Sequence, residues 1–381
     1  MISNKREFPK AFKIFCITLI LLAFGGSLIL FSASSRIAFN IEGNANSFFE
    51  SHIKYLIISA LIGLIFFLFD YKSFKRITWF FIIVTFSLLL MTLVKKYASG
   101  NSQPVRWLAI GGHNIFQLAE IVKFTLILYV SAYLANHQDN LDNLKKGYLP
   151  VILISGTLIT MIALTPDLSS AVMLFFIVLT MLYIGGAKIK HIGFTSLILM
   201  ILGGVYTWIE PYRRARILAI FNPDDVSNAN YQINQSLISL SGGGLFGRGF
   251  GNSTGKNLFL PEAHTDFIFS IAGEELGFIT TLLILIIFIT LFISMLRLAK
   301  SVKDSFGKYV IFGTAFSLIL YAIANALVCV GIGPVTGLPM PFISKSGSQL
   351  LINLSLLGIC MNAMRQAHYE EQKEAEFLHD L

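Results

Sequence analysis

The chain has 381 residues, 55% of them hydrophobic and only 13% charged, with a mean hydropathy of +0.71. Soluble domains carry roughly 25% charged residues, so the composition excludes a water-soluble globular protein and predicts an integral membrane one. The formal charge of +8 is spread as Lys and Arg between hydrophobic segments, which points to an anionic membrane surface and away from nucleic acid.

Residues 11–33 follow a basic start (Lys5, Arg6, Lys10) and look at first like a secretory leader. The apolar run is about 20 residues, longer than a leader's h-region, and further spans follow, so it is read as a retained helix. Stretches of roughly 17–25 apolar residues, long enough to cross a bilayer, recur at 52–70, 77–94, 117–135, 149–164, 168–185, 191–209, 267–296, 309–330 and 347–365. The expected fold class is an all-α polytopic membrane protein, a single integral domain over 1–381 with about ten transmembrane helices. The fifth span is short and ends at Pro166, so Thr165-Pro166-Asp167 is expected to turn straight into the sixth.

With both termini in the cytoplasm, the short inner connections carry Lys72, Lys75, Arg76, Lys145, Lys146, Lys188 and Lys190, as the positive-inside rule asks. Outer positive charges then gather in two segments, 95–116 and 210–265, and an anionic substrate is one explanation. Segment 210–265 is the one long extracytoplasmic loop, placed before the eighth helix and expected to fold back on the membrane surface. Its glycines match neither a Walker A loop nor a strand–GxGxxG–helix unit, which argues against nucleotide binding. The three cysteines lie in hydrophobic stretches without metal-ligand spacing, so neither a disulfide nor a zinc site is expected.

Ionisable groups inside spans are costly and mark candidate sites. Glu120 and Lys123 stand three apart on one helix face, either as a packing ion pair or as the charged wall of a polar cavity with Lys123 facing a phosphate. Glu274 and Glu275 are read as structural partners. Asp266 sits where the eighth span begins, after Glu262, His264 and Thr265. It is either a helix cap, its carboxylate stabilised by the helix dipole, or a chemical group. Glu262 is either surface charge or a second carboxylate for a divalent cation. Arg213, Arg214 and Arg216, at the end of the seventh span, are either interfacial or anion-binding. Segment 331–348, rich in Gly and Pro, reads as an irregular lining that needs protein or a wet cavity beside it.

Several runs together carry a resemblance: Arg106-Trp107, Phe116-Gln117 through Lys123, Thr165-Pro166-Asp167-Leu168, Tyr231-Gln232 through Gln235-Ser236, the Gly-Leu-Phe-Gly-Arg-Gly run, Leu260 to Phe269, Glu274 to Gly277, and Gly337-Leu338-Pro339 through Ser348. Over nearly its whole length the chain resembles the SEDS family (shape, elongation, division and sporulation), membrane glycosyltransferases of bacterial wall synthesis. Leu260-Pro261-Glu262-Ala263-His264 is more similar to the division-type branch, typified by FtsW, than to the elongation-type branch of RodA. Two departures stand out. The family's Ser-Tyr-Gly-Gly-Ser is Ser344-Lys345-Ser346-Gly347-Ser348 here, and its Pro-Ser-Glu is Leu118-Ala119-Glu120.

The resemblance implies polymerisation of lipid II into β-1,4 glycan at the outer face of the inner membrane during septal wall synthesis. It implies a class B penicillin-binding transpeptidase and other division-complex membrane proteins as partners. Asp266 matches the family's essential aspartate and is expected to serve as general base or as ligand of Mg2+ or Mn2+, with Glu262 the second possible ligand. Dipole stabilisation of its carboxylate weakens it as a base. Arg106, Lys123, Arg213, Arg214, Arg216 and Arg248 are the cations available to a leaving diphosphate, and Glu120, His264 and Ser344 complete the substrate-binding candidates. A RodA-type elongation polymerase and a lipid II flippase are the alternatives.

Overall fold

The computed structural model describes residues 9–98, 106–110, 113–211, 214, 216, 218 and 228–379. The spans, in chain order, are α1 (Lys10–Glu42), α2 (Ser47–Leu68), α4 (Thr78–Ala98), α5 (Leu118–His137), α6 (Leu149–Leu164), α7 (Leu168–Ile184), α8 (Ile189–Ile209), α10 (Ile268–Ser301), α11 (Ser305–Cys329) and α12 (Gly347–His379). A short α3 (Tyr71–Arg76) turns the chain between α2 and α4, and α9 (Asn228–Gly243) lies within the long connection. Among the described residues nine helical segments are long and apolar enough to cross a membrane, and α7, 17 residues long, is the shorter tenth. The expected Thr165-Pro166-Asp167 turn joins α6 to α7.

Aspartates set several helix starts. Asp70, Asp167 and Asp304 each accept a backbone N–H from the first turn that follows, those of Lys72, Ser170 and Gly307. The helix at the centre is α5, buried at nearly every position from Leu118 to Leu134, with α4, α7, α11 and α12 packed around it. At the other extreme stands α8, where Thr207 is the one buried side chain and α7 the main neighbour. Near-complete burial explains the charges on α5. Lys123 Nζ lies 2.5 Å from Glu120 Oε2, donates to Asn353 Oδ1 at 3.0 Å and sits 4.8 Å from the Tyr321 ring centroid. The pair is sealed between α5, α11 and α12, with 2% and 1% exposure, so the packing role describes it and a phosphate has no access to Lys123.

Removing one partner of such a pair leaves an uncompensated buried charge. Lys123→Met is therefore expected to destabilise the protein by about 3–5 kcal/mol. Adding Glu120→Leu should recover most of that loss, as read from thermal unfolding in detergent.

Two features depart from the sequence reading. Where only helices are expected, β1 (Trp107–Ile110) and β2 (His113–Gln117) pair antiparallel, with Trp107 opposite Gln117 and Leu108 opposite Phe116. Strands this short offer too few residues for a period of two to show. The second departure is inside α10, which is broken at Gly277 (φ 81°, ψ 177°). The glycine-rich run after α9 fills the break. Arg248 and Gly249 donate their backbone N–H groups to the Glu274 and Glu275 carbonyls at 3.0 Å, and Phe278 N–H reaches Gly244 O at 2.9 Å. The run expected to lie on the membrane surface is thus a backbone splint built into a helix.

Candidate active site

Hydrogen bonds join the acid cluster, strand β2 and the segment leading into α12 at one end of the bundle: Lys345 N–H to His264 O at 3.1 Å and Gln117 N–H to Ser348 Oγ at 3.0 Å. Ahead of α10 the chain turns around a single carbonyl. Glu262 O accepts from the N–H groups of Thr265 (3.1 Å), Asp266 (3.0 Å) and Phe267 (3.2 Å). Glu262 adopts φ 55° to allow this, at a cost of about 1–2 kcal/mol for a residue with a Cβ, offset by the three hydrogen bonds. Its exposed carboxylate accepts the Thr265 hydroxyl at 2.8 Å.

This turn overturns the capping reading of Asp266. α10 begins at Ile268 with Phe267 at the N-cap, and no side chain caps it. Asp266 is fixed through its backbone instead: Asn325 Nδ2 donates to Asp266 O and to Leu338 O, both at 2.8 Å. Gly337 (φ 66°) comes so close that a Cβ there would stand 3.3 Å from Asp266 Oδ2. Glycine meets the left-handed backbone and leaves that face of the carboxylate uncovered. Asn325 and Gly337 were missed as functional residues in the sequence; the available signal was an amide in an otherwise apolar span.

The electrostatics also reverse the dipole argument. Burial pushes the Asp266 carboxyl up to about 7, the Glu262 charge pushes the same way, and Arg216 and Arg106 oppose them. The side chain keeps partial contact with water, but its surroundings are mostly protein, and desolvation of the charged form outweighs a dipole whose helix starts two residues later.

Those two arginines are the cations whose charge reaches Asp266. Arg106 Nη2 donates to Pro166 O at 2.8 Å while its buried Nε has no partner, and Arg216 Nη1 donates to Val335 O at 3.0 Å. The other sequence candidates lie elsewhere. Arg248 pairs with Glu274 at 3.0 Å and holds Gly242 O and Thr254 Oγ1, so it locks the splint. Glu275 does the same with Lys256 (2.7 Å) and Ser32 (2.7 Å), which bears out the structural reading of both glutamates. Arg214 lies 5.7 Å from the Trp208 ring, in the interfacial manner. Arg213 lies outside the described residues.

Ser344 is buried with its hydroxyl already engaged, donating to Thr265 O at 2.5 Å and accepting Met340 N–H at 2.9 Å. It staples the 340–345 turn to the acid loop and offers nothing to a substrate. His264 packs on Phe48 with ring centroids 5.2 Å apart. Burial pushes its imidazole down to about 4, Lys345 adding to this and Glu262 opposing it, so the ring is neutral at pH 7 and supplies no charge to an anion.

No group of three or more His, Cys, Asp or Glu among the described residues is arranged to hold a metal alone. Asp266 and Glu262 are carboxylates of the same turn, the donor chemistry used by divalent cations that take one or two carboxylates and complete their shell with substrate phosphates and water. Such a cation would offset both causes of the upward shift at Asp266, the burial of its charge first and the Glu262 charge second.

The fold and the site define an integral membrane protein with a half-buried carboxyl, poised near neutrality beside two arginines, at one end of a helical bundle. The profile of the family described as "Cell cycle protein" (FtsW, RodA, SpoVE) matches residues 12–369. Among curated proteins, the chain is 34% identical over 346 residues to a probable peptidoglycan glycosyltransferase FtsW of Geobacter sp. (strain M18), covering 90% of this chain and 94% of that one. It is 32% identical to stage V sporulation protein E of Bacillus subtilis (strain 168), covering 93% and 96%. Two solved structures share the fold. One, from work on the structural coordination of polymerization and crosslinking by a peptidoglycan synthase complex, has a TM-score of 0.73 at 21% identity and covers 92% of this chain and 98% of its own. The other, Thermus thermophilus rod shape determining protein RodA, has a TM-score of 0.66 at 21% identity, covering 95% and 98%. The chain belongs to the FtsW/RodA/SpoVE family.

Proposed function

We propose that the protein is a peptidoglycan glycosyltransferase that polymerises lipid II for septal wall synthesis. The observation that carries this reading is the Asp266 carboxyl, raised to about 7 beside Arg106 and Arg216. A base is most effective when its pKa lies near the working pH, and a leaving diphosphate needs preorganised positive charge. The acceptor's 4-hydroxyl attacks the anomeric carbon of the donor disaccharide and passes its proton to Asp266. The bond from that carbon to the diphosphate oxygen breaks, and undecaprenyl diphosphate departs against the two guanidiniums. One displacement converts an α-linked donor into a β-1,4 product. In the alternative role Asp266 is not the base: Glu262 and Asp266 would hold Mg2+ or Mn2+, which when bound would supply further neutralisation of the diphosphate.

The reading puts the site end of the bundle at the outer face of the inner membrane and both termini in the cytoplasm, because the short connections at the opposite end are basic. The reading places the protein at the septum with a class B penicillin-binding transpeptidase and other division proteins as partners; the structural neighbour from work on polymerization and crosslinking by a peptidoglycan synthase complex supports a crosslinking partner. The test is to purify the protein with its cognate transpeptidase and supply lipid II and Mg2+ or Mn2+. Long glycan strands are the expected product. Lipid II crossing proteoliposomes with no polymer under any metal condition would overturn the assignment in favour of a flippase. Depletion in cells should give filaments; rounded cells would assign the chain to elongation.

A further inference from the structure

Between α2, β1 and the segment leading into α12 lies a cavity of about 250 Å³ lined by Ser51, His52, Tyr55, Trp107 and Lys345 to Ser348. Its wall holds polar groups that the protein does not satisfy. His52 is 2% exposed, yet neither ring nitrogen has a hydrogen-bond partner, and the buried Ser346 hydroxyl has none either. Leaving such a group unpaired costs about 1–3 kcal/mol. Ser348 Oγ accepts the Gln117 backbone N–H at 3.0 Å, so its own proton remains to donate. Lys345 brings the charge: its ammonium lies 2.9 Å from the Phe48 ring centroid and forms no ion pair with a carboxylate among the described residues. Among the described residues the lining is thus rich in donors, carries one cation and contains no acid, the Glu42 and Glu262 charges acting on Lys345 from outside it, and the Trp107 and Tyr55 rings offer apolar faces beside it.

We propose that this cavity is a subsite for a carboxylate carried by the saccharide substrate, held by Lys345, Ser346 and His52. The proposal rests on the polymerase reading given above. A single ammonium with hydroxyl and imidazole donors suits a singly charged oxygen anion, whereas the diphosphate is matched by the arginine pair at Asp266. The two places are tied together. Lys345 donates its backbone N–H to His264 O at 3.1 Å and Ser344 bonds Thr265 O at 2.5 Å, so a saccharide reacting at Asp266 reaches the cavity with a substituent. Lys345 and Ser346 also stand where the family pattern has Tyr and Gly, which makes this lining a property of this chain.

The experiment uses the full-length protein in detergent and two soluble probes, an N-acetylmuramoyl dipeptide with a free carboxylate and its fully amidated form, with binding read by ligand-observed NMR. The wild type should bind the acid about 5–20-fold more tightly than the amide. Lys345→Met should abolish that preference and raise KM for lipid II bearing the free acid without changing kcat, while Lys345→Arg retains both. His52→Leu should weaken both probes, His52→Asn less so, with thermal unfolding confirming that each variant is folded. Equal binding of the two probes, a preference that survives Lys345→Met, or no binding at all, which would mean that the cavity holds water only, would overturn the proposal. A Lys345-dependent preference for the acid in a protein that makes no glycan would sustain the subsite and sink the polymerase reading instead.

Discussion

Asp266→Asn should lower glycan polymerisation by ~10²–10⁴-fold, the range for loss of a positioned general base, with lipid II binding largely kept because Arg106 and Arg216 remain. Asparagine preserves the shape and the backbone contacts to Asn325, so the loss is chemical. The pH dependence follows from the same carboxyl. A base must be ionised, so wild-type activity should rise with pH through an apparent pKa near 7. Glu262→Gln removes one of the two causes of the upward shift and should move that limb down, and saturating Mg2+ or Mn2+ should do likewise if the two carboxylates hold the cation.

The stability linkage has the opposite sign from a salt-bridged aspartate. The folded pKa lies above the ordinary aspartate value of 3.8, so the folded state binds more protons between the two values. Wild type should therefore lose thermal stability relative to Asp266→Asn as pH rises from about 4 to about 7 and hold a constant deficit above that. Unfolding curves recorded in EDTA at several pH values check this. A deficit that grows instead toward acid pH would mean that the carboxylate is stabilised by its surroundings and would remove the argument for a base.

Gly277→Ala should be strongly disruptive although it touches no substrate. Its backbone conformation is one that only glycine adopts readily, costing about 1–3 kcal/mol for any other residue. A Cβ there would lie 2.3 Å from Leu245 O and 2.5 Å from Gly247 N. Either the splint or the helix must move, and the hydrogen bonds from Arg248, Gly249 and Phe278 across the break go with it. The expected loss is at least about 3 kcal/mol, with polymerisation falling in parallel because the splint, Glu274 and Glu275 anchor the segment that leads to the acid turn. Gly156→Ala on α6, where a Cβ meets nothing within 4 Å, is the control and should change the melting temperature little. If both variants melt alike, the splint does not hold α10.

The spans were legible because burial in lipid imposes a long apolar run on each helix, a signal local to the sequence. All ten expected spans correspond to helices, and the direct turn at Thr165-Pro166-Asp167 followed from the same runs. Residues of the acid cluster were legible by type, since a carboxylate at a span boundary is costly wherever it occurs. Their roles were not. Whether Ser344 faces a substrate or Thr265 O depends on a partner 79 positions away in the chain. Whether Arg248 serves an anion or Glu274 depends on how the glycine-rich run threads the helix, and nothing in either local pattern states it.

For Asp266 the division is sharpest. By itself the sequence determined that the chain crosses the membrane, that its acids gather at one boundary, and that its motifs belong with a family of cell cycle proteins. The tertiary structure alone decided that this aspartate is not a cap, that Asn325 and Gly337 position and uncover it, and that its carboxyl is pushed up to about 7. The physical reason is one of range. Hydropathy is summed along the chain, whereas desolvation and Coulomb interactions depend on which distant segments surround a group in space.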